Sequence, residues 1–382
     1  MSIHESVQKV TTPAGDPAWQ VTEYERVKAL LADPRLGRSH PEPQKAARFS
    51  ESVLFGQAAG SPDSEAAAHA WMRKLLTPSF SARRMAELRP RVRELASGLY
   101  DEMARQAPPA DFHELVSFQL PVLVICELLG VPYEDRGDFR HWSDGAADMT
   151  DRERSGAGLA RLREYMGDLI ERKRLHPAED VLSDLIRAQE QFQGGFRDED
   201  VTGLAAGLLF AGHETTVAAI DRGVVLLLTN PAQREALVRD PSLVPGAVEE
   251  ILRSPDPTGA PTRDRQAGGV PRWAKTDIEL EGVTIKAGDL VLLSLADANV
   301  DDRVFPNPHS FDLSRGASSS HLTFGHGPHF CIGAPLARIE LQAVFGTVFQ
   351  RFPALTLAVP VESLRSRTNL LTGGIEHLPV TW

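Results

Sequence analysis

The chain has 382 residues, 42% hydrophobic and 24% charged, which is the composition of a globular protein with a large core and excludes general disorder. A formal net charge of -11 repels nucleic acid and anionic lipid as general partners. Two cysteines, Cys126 and Cys331, are too few for a disulfide framework and fit a reducing compartment.

Residues Met1 to Trp19 carry neither a basic stretch nor an apolar one, so no export signal is expected and the chain reads as cytoplasmic. Glycine and proline are scattered and no repeat is visible, so residues 1–382 read as one domain. Helices are expected over Ala82 to Ala104, Phe118 to Leu129, Leu159 to Leu175 and Thr202 to Asn230. The last would be about 43 Å long at about 1.5 Å per residue. Its apolar run is broken by His213, Glu214, Asp221 and Arg222 short of the roughly 20 residues a membrane span needs, so it reads as a core helix. Strands are few. Thr276 to Ile285 alternates apolar and polar residues around Glu281-Gly282, the signal of a hairpin, and Gly288 to Leu293 reads as a buried strand. The fold class is therefore mainly α with a small β portion. Asn299 to Gly327 is irregular and too long for an idle connection.

On the long helix, Leu208, Ala211, Gly212 and Thr215 share one face, where a cofactor would meet small residues and a hydroxyl, with Gly212 leaving room. Thr215 can bond back to the Ala211 carbonyl and loosen the helix. Glu214 beside it can relay protons in a dry pocket. A surface-facing or salt-bridged glutamate is the lesser alternative for Glu214, and a core threonine is the better reading of Thr215 alone; adjacency to Glu214 together with the cysteine motif favours a functional pair.

The most informative segment is Phe324-Gly325-His326-Gly327-Pro328-His329-Phe330-Cys331-Ile332-Gly333. Its glycines allow tight turns and close approach of backbone to a flat ligand. Pro335 followed by Leu336, Ile339, Ala343 and Val344 places a helix just after Cys331, whose thiol the helix N-terminus should push toward thiolate, the form that binds metal. A thiolate axial ligand pushes electron density onto haem iron. Cys126 has no such context and reads as a small core residue.

With these residues in place, the chain resembles the soluble bacterial cytochrome P450 family along almost its whole length. Ala211 to Thr216 is similar to the family's oxygen-activating helix motif, Glu250-Ile251-Leu252-Arg253 to its Glu-x-x-Arg helix, and Phe324 to Gly333 to its haem-binding loop. The resemblance implies a triangular helical prism with small sheets, haem b ligated by Cys331, and a monooxygenase. Electrons would come ultimately from NAD(P)H through a ferredoxin-type redox partner. It implies catalytic roles for Glu214 and Thr215, and haem contacts from Ala211, Gly212, Phe324 and Gly333. His69, Arg73, Arg272 and His329 would hold the propionates, and Glu250, Arg253 and Arg315 would form a structural ion-pair network.

Two departures stand out. The family's Ala-Asn-Arg-Asp-Pro is here Ala298-Asn299-Val300-Asp301-Asp302, and Ser254 to Pro271 is longer than usual, so Arg272 is chosen over Arg263 and Arg265 from its place before Asp277 to Leu280. Lys74 and Arg338 are candidates for docking an acidic ferredoxin. A monomer is expected, acting on a medium or large, mainly apolar secondary metabolite. Pocket residues are expected in Ser50 to Ala68, Leu208 to Gly212, Pro257 to Gly269 and near Leu370 to Thr372. Oxidative coupling, peroxide-driven oxidation and a non-catalytic haem-thiolate sensor remain alternatives.

Overall fold

The N-terminal segment pairs Val7–Thr11 (β1) with Pro17–Val21 (β2), antiparallel, and Tyr24–Leu31 (α1) packs beneath them. In this computed structural model, residues 6–54, 56, 58, 62–191, 197–258, 268–318 and 320–382 are described. Leu36–Gly37 (β3) leads to Pro62–Leu76 (α2), Ala82–Met103 (α3), Ala110–Asp111 (β4) and Gln119–Leu129 (α4). Arg136–Ala146 (α5), Arg152–Leu175 (α6), Val181–Gln191 (α7), Asp198–Thr229 (α8), Pro231–Arg239 (α9) and Val244–Arg253 (α10) follow. Val270–Ala274 (β5), Ile278–Leu280 (β6), Val283–Ile285 (β7) and Leu290–Leu293 (β8) form the second cluster of strands. Leu295–Ala298 (α11), Ala334–Phe345 (α12), Val348–Arg351 (α13), Thr356–Leu357 (β9) and Pro379–Thr381 (β10) complete the chain.

The strands make a five-stranded sheet in the order β1-β2-β8-β5-β3, a three-stranded sheet β4-β10-β9 and the hairpin β6-β7. Only the β2–β8 pairing in the large sheet is parallel. Hairpin and buried strand fall where the alternation places them. Glu281 and Gly282 take φ of 50° and 80°, the two positive values that a two-residue hairpin turn demands.

Helices provide the main core, built from α3, α4, α6, α8, α10 and α12. α8 runs through it, with Val201, Ala205, Leu209, Ile220, Val224, Val225 and Leu227 at 0% exposure. Each large side chain buried there contributes roughly 1.5–3 kcal/mol. By length and composition α8 would cross a membrane, but most of its apolar surface is spent on neighbouring helices. The expected boundaries shift at two N-termini. α6 starts at Arg152, ahead of the apolar periodicity, because Asp151 caps it by accepting from Arg154 N. α8 starts at Asp198 with three acids, Asp198, Glu199 and Asp200, in its first turn, where the helix dipole favours them.

Candidate functional site

The cysteine loop is shaped by backbone that only glycine adopts easily. Gly325 and Gly327 sit at φ of 72° and 71°. A Cβ on Gly327 would also stand 2.9 Å from that of Ala32, so the loop lies directly against the end of α1. The loop closes on itself where Cys331 N donates to the Phe324 carbonyl at 2.9 Å. Cys331 is left exposed just ahead of α12, with Pro335 in that helix's first turn as expected. Burial in the surrounding loop raises the thiol's pKa. Backbone N–H groups of Gly333 and Ala334, with Arg73 and Arg338 nearby, pull it back only in part.

The loop is anchored from several sides. Arg73 Nη1 on α2 donates to the Phe330 carbonyl at 3.0 Å. Phe324 packs its ring 6.2 Å from that of Phe330, and the Arg338 guanidinium lies 4.6 Å above the Phe324 ring. Arg338 is also bidentate to Glu249 at 2.7 and 2.8 Å, so it is a neutralised support and not a free docking cation. Behind the loop, Arg253 is bidentate to Glu250 at 2.8 Å and donates to the Asn299 and Pro308 carbonyls. Arg315 reaches the same Glu250 at 3.3 Å and holds the Pro306 carbonyl at 2.7 Å. The expected ion-pair network is present and buried.

A second group of charges gathers from four remote segments. His69 on α2 and His329 in the loop lie with ring centroids 4.0 Å apart. Arg272 on β5 is 4% exposed, and burial followed by repulsion from Arg38 pushes its pKa down to about 9. Burial, then Arg38, His69 and Arg272, likewise push His329 down to about 4. Glu65 is the carboxylate acting on these cations, and it already serves Arg38 N, the Ser39 hydroxyl and Lys275. Arg38 and Glu65 escaped the sequence reading because nothing in Leu36-Gly37-Arg38-Ser39 marks a site. Arg263 and Arg265 lie outside the described residues.

On α8, Ala211 and Thr215 are exposed although the helix around them is buried, so one face of its middle turn borders a cleft. Thr215 Oγ1 donates to the Ala211 carbonyl at 3.4 Å, as expected. Gly212 is corrected: its missing Cβ makes room for Ile125 of α4, which would lie 2.5 Å away, and not for a ligand. Glu214 points into the protein at 2% exposure, between His213, at 3.1 Å, and the Thr372 hydroxyl, at 3.3 Å. Burial favours its neutral form, but the His213 ring, Arg367 and Thr372 outweigh burial and hold its pKa well below the usual carboxylate range. Asp144 of α5, paired with Arg367 at 3.4 Å, moves the other way, raised by burial and by Glu214.

The loop around the departing residues is filled locally. Asp301 accepts from Tyr24 N and pairs with Arg303, while Asn299 accepts from Leu322 N and donates to Thr323. Val300 and Asp302 therefore leave the cysteine loop's support intact.

A mainly helical fold presenting a loop cysteine at a helix start, together with a core helix that leaves Ala211 and Thr215 exposed, defines a haem-thiolate oxidase. Residues 160–371 match the family model for cytochrome P450. The chain is 43% identical to pentalenolactone synthase of Streptomyces exfoliatus, over 97% of this chain and 91% of that one. It is 41% identical to mycinamicin IV hydroxylase/epoxidase of Micromonospora griseorubida, over 99% and 93%. The crystal structure of SgvP, a putative thioether synthase in a tailoring step of griseoviridin, superposes with a TM-score of 0.89 at 37% identity, covering 99% and 93%. The chain belongs to the cytochrome P450 family. It is a monooxygenase of small organic molecules, and that family carries a haem-thiolate cofactor and takes electrons from redox partners. The residues present fit such a group: an exposed thiol beside backbone donors, small side chains on α8, and clustered cations in excess of their carboxylate.

Proposed function

We propose that the chain is a cytoplasmic, single-domain, monomeric monooxygenase that holds haem b through Cys331 and oxidises a medium or large, mainly apolar secondary metabolite. The cation cluster carries this reading: Arg38, Arg272, His69 and His329 converge on one carboxylate, with Arg272 buried, the two histidines half-buried and Arg38 exposed, an arrangement that two propionates would balance. Haem would supply thiolate-assisted activation of dioxygen. The chain supplies the surroundings. Gly333 and Ala334 offer N–H groups to the thiolate, and Phe324 covers the loop under Arg338. Ala211 leaves space against the ring, and Thr215 offers a hydroxyl bonded only weakly to its own helix, free to turn toward a reacting oxygen. Glu214 holds or releases a proton behind it, out of contact with water.

The substrate reading rests on half-buried Leu54 and Leu371, packed against Phe210 and Leu370, and on half-buried Leu208 one turn before Ala211 on α8. Electrons would come from NAD(P)H through a ferredoxin-type protein, for which the exposed Lys74 on α2 is a docking candidate. The test is a reduced-minus-oxidised difference spectrum under carbon monoxide for wild type and Cys331→Ala. Wild type gives the red-shifted Soret band of thiolate ligation and the variant loses it. Absence of the band in haem-supplied wild type overturns the proposal.

A further inference from the structure

His213 belongs to the α8 motif yet has no part in the reading above, which this inference deepens and on which it rests. The ring is 0% exposed and boxed by the edges of Phe118 and Phe139, whose centroids lie 6.4 and 6.3 Å away. Its Nδ1 lies 2.7 Å from the Leu209 carbonyl, one helical turn back. A carbonyl only accepts, so Nδ1 carries a proton and is committed to that bond. The other nitrogen, Nε2, stands 3.1 Å from Glu214 Oε1, out of line for a good hydrogen bond and without another partner among the described residues.

Proton counting then fixes the state of the pair. With Nδ1 protonated, a neutral ring would turn the Nε2 lone pair toward a carboxylate oxygen at contact distance in a dry core. Two acceptors facing each other are repulsive there, so one further proton must lie between them. We propose that His213 and Glu214 together store one exchangeable proton, held on the imidazole at rest, and that His213 is the positioning residue through which Glu214 recharges Thr215. Each transfer balances. The ionised Glu214 first takes the stored proton from His213 Nε2 and passes it to the Thr215 oxygen, as Thr215 gives its own hydroxyl proton to the oxygen being reduced. A proton from solvent then restores the pair, and the two electrons of the turnover come from the redox partner. The groups that face the pair favour this resting state. Arg367 and the Thr372 hydroxyl hold Glu214 ionised, Arg140 adds positive charge through α5, and Asp144, raised in pKa by Glu214, is the acid nearest to solvent. A neutral store would leave a buried imidazole beside an acid that every neighbouring cation pushes toward its charged form.

The test uses the ferrous carbon monoxide complex of the full holoenzyme, which is diamagnetic, with ¹⁵N-labelled histidine. Wild type should show one ring with both nitrogens protonated at neutral pH, and that signal should vanish in His213→Gln. A singly protonated ring overturns the proposal. Turnover of the variants supplies the second arm. His213→Phe fits the aromatic box, and His213→Gln can still donate to Glu214 but has no proton to give. Both should keep the thiolate Soret band and the substrate spin shift. Both should lose roughly tenfold or more of product formed per NAD(P)H consumed, with an enlarged solvent isotope effect. If Gln restores coupling while Phe does not, His213 is a structural donor only and the proposal fails. Loss of the thiolate band in wild type would instead overturn the haem reading itself, and this inference with it.

Discussion

Two groups of charges flank the cysteine loop, and they are built on opposite principles. Glu250, Arg253 and Arg315 are matched: each guanidinium meets the carboxylate or a loop carbonyl. Arg38, Arg272, His69 and His329 are mismatched: desolvation lowers the pKa of all four, and repulsion between cations adds to it at Arg272, His69 and His329. A matched cluster is complete in the protein alone and acts as scaffold. A mismatched one is costly in the protein alone and is explained by an anionic ligand.

The largest effect expected is on the matched cluster. Arg253→Ala leaves Glu250, itself 4% exposed, with only the longer contacts to Arg315 and Asp312 N, and frees the Asn299 and Pro308 carbonyls. Breaking a buried pair from one side costs about 3–5 kcal/mol. The denaturant midpoint should drop accordingly, and holoenzyme yield should collapse because the cysteine loop loses its back support. A variant that retains wild-type stability would show that the network is dispensable.

On the mismatched cluster the sign should depend on haem. Arg272→Met removes a buried cation that repels Arg38 and His329, so the haem-free protein should become more stable. With haem bound, the same change should cost about 1.5–3 kcal/mol, the worth of a charge-assisted hydrogen bond, read as roughly ten- to hundredfold faster haem loss. Equal shifts in both forms would remove the contrast between the clusters. In the haem-free protein the pKa of His329 should also rise, since one of its repelling neighbours is gone.

What was legible in the sequence follows the same division. The cysteine loop, the Glu250 helix and the α8 motif are each continuous in sequence, and their spacing encodes the chemistry. The cation cluster joins residues 38, 69, 272 and 329, and only His69, Arg272 and His329 were reachable, through the family resemblance. Arg38 and Glu65 meet them through the β3–β5 pairing, which no local pattern announces. Asp144 and Arg367 were missed for the same reason, and Thr372 was expected only as a pocket residue: two segments converge on Glu214, and neither has a motif. Gly212 and Arg338 were misread because a sequence shows that a residue is small or charged but not what fills the space or takes the charge. Here those are Ile125 and Glu249.

The smallest effect, and the sharpest control on this account, lies in α12. Glu340 is 0% exposed and neither carboxyl oxygen has a partner among the described residues, so burial raises its pKa well above 4.5. Unlike Glu214, which gains its charge from partners, Glu340 stays protonated in the fold. Its unfolded form ionises above about 4.5, so unfolding releases a proton and stability falls as pH rises from there toward the folded pKa. Glu340→Gln should abolish that slope. Glu340→Leu should abolish it and also raise stability by about 1–3 kcal/mol, the cost of an unsatisfied buried polar group. Thermal unfolding of the three proteins at pH 5 and pH 8 reads both effects. If wild type shows no more pH dependence than Glu340→Gln, the carboxyl has a partner and burial alone does not set the charge of an acid in this core.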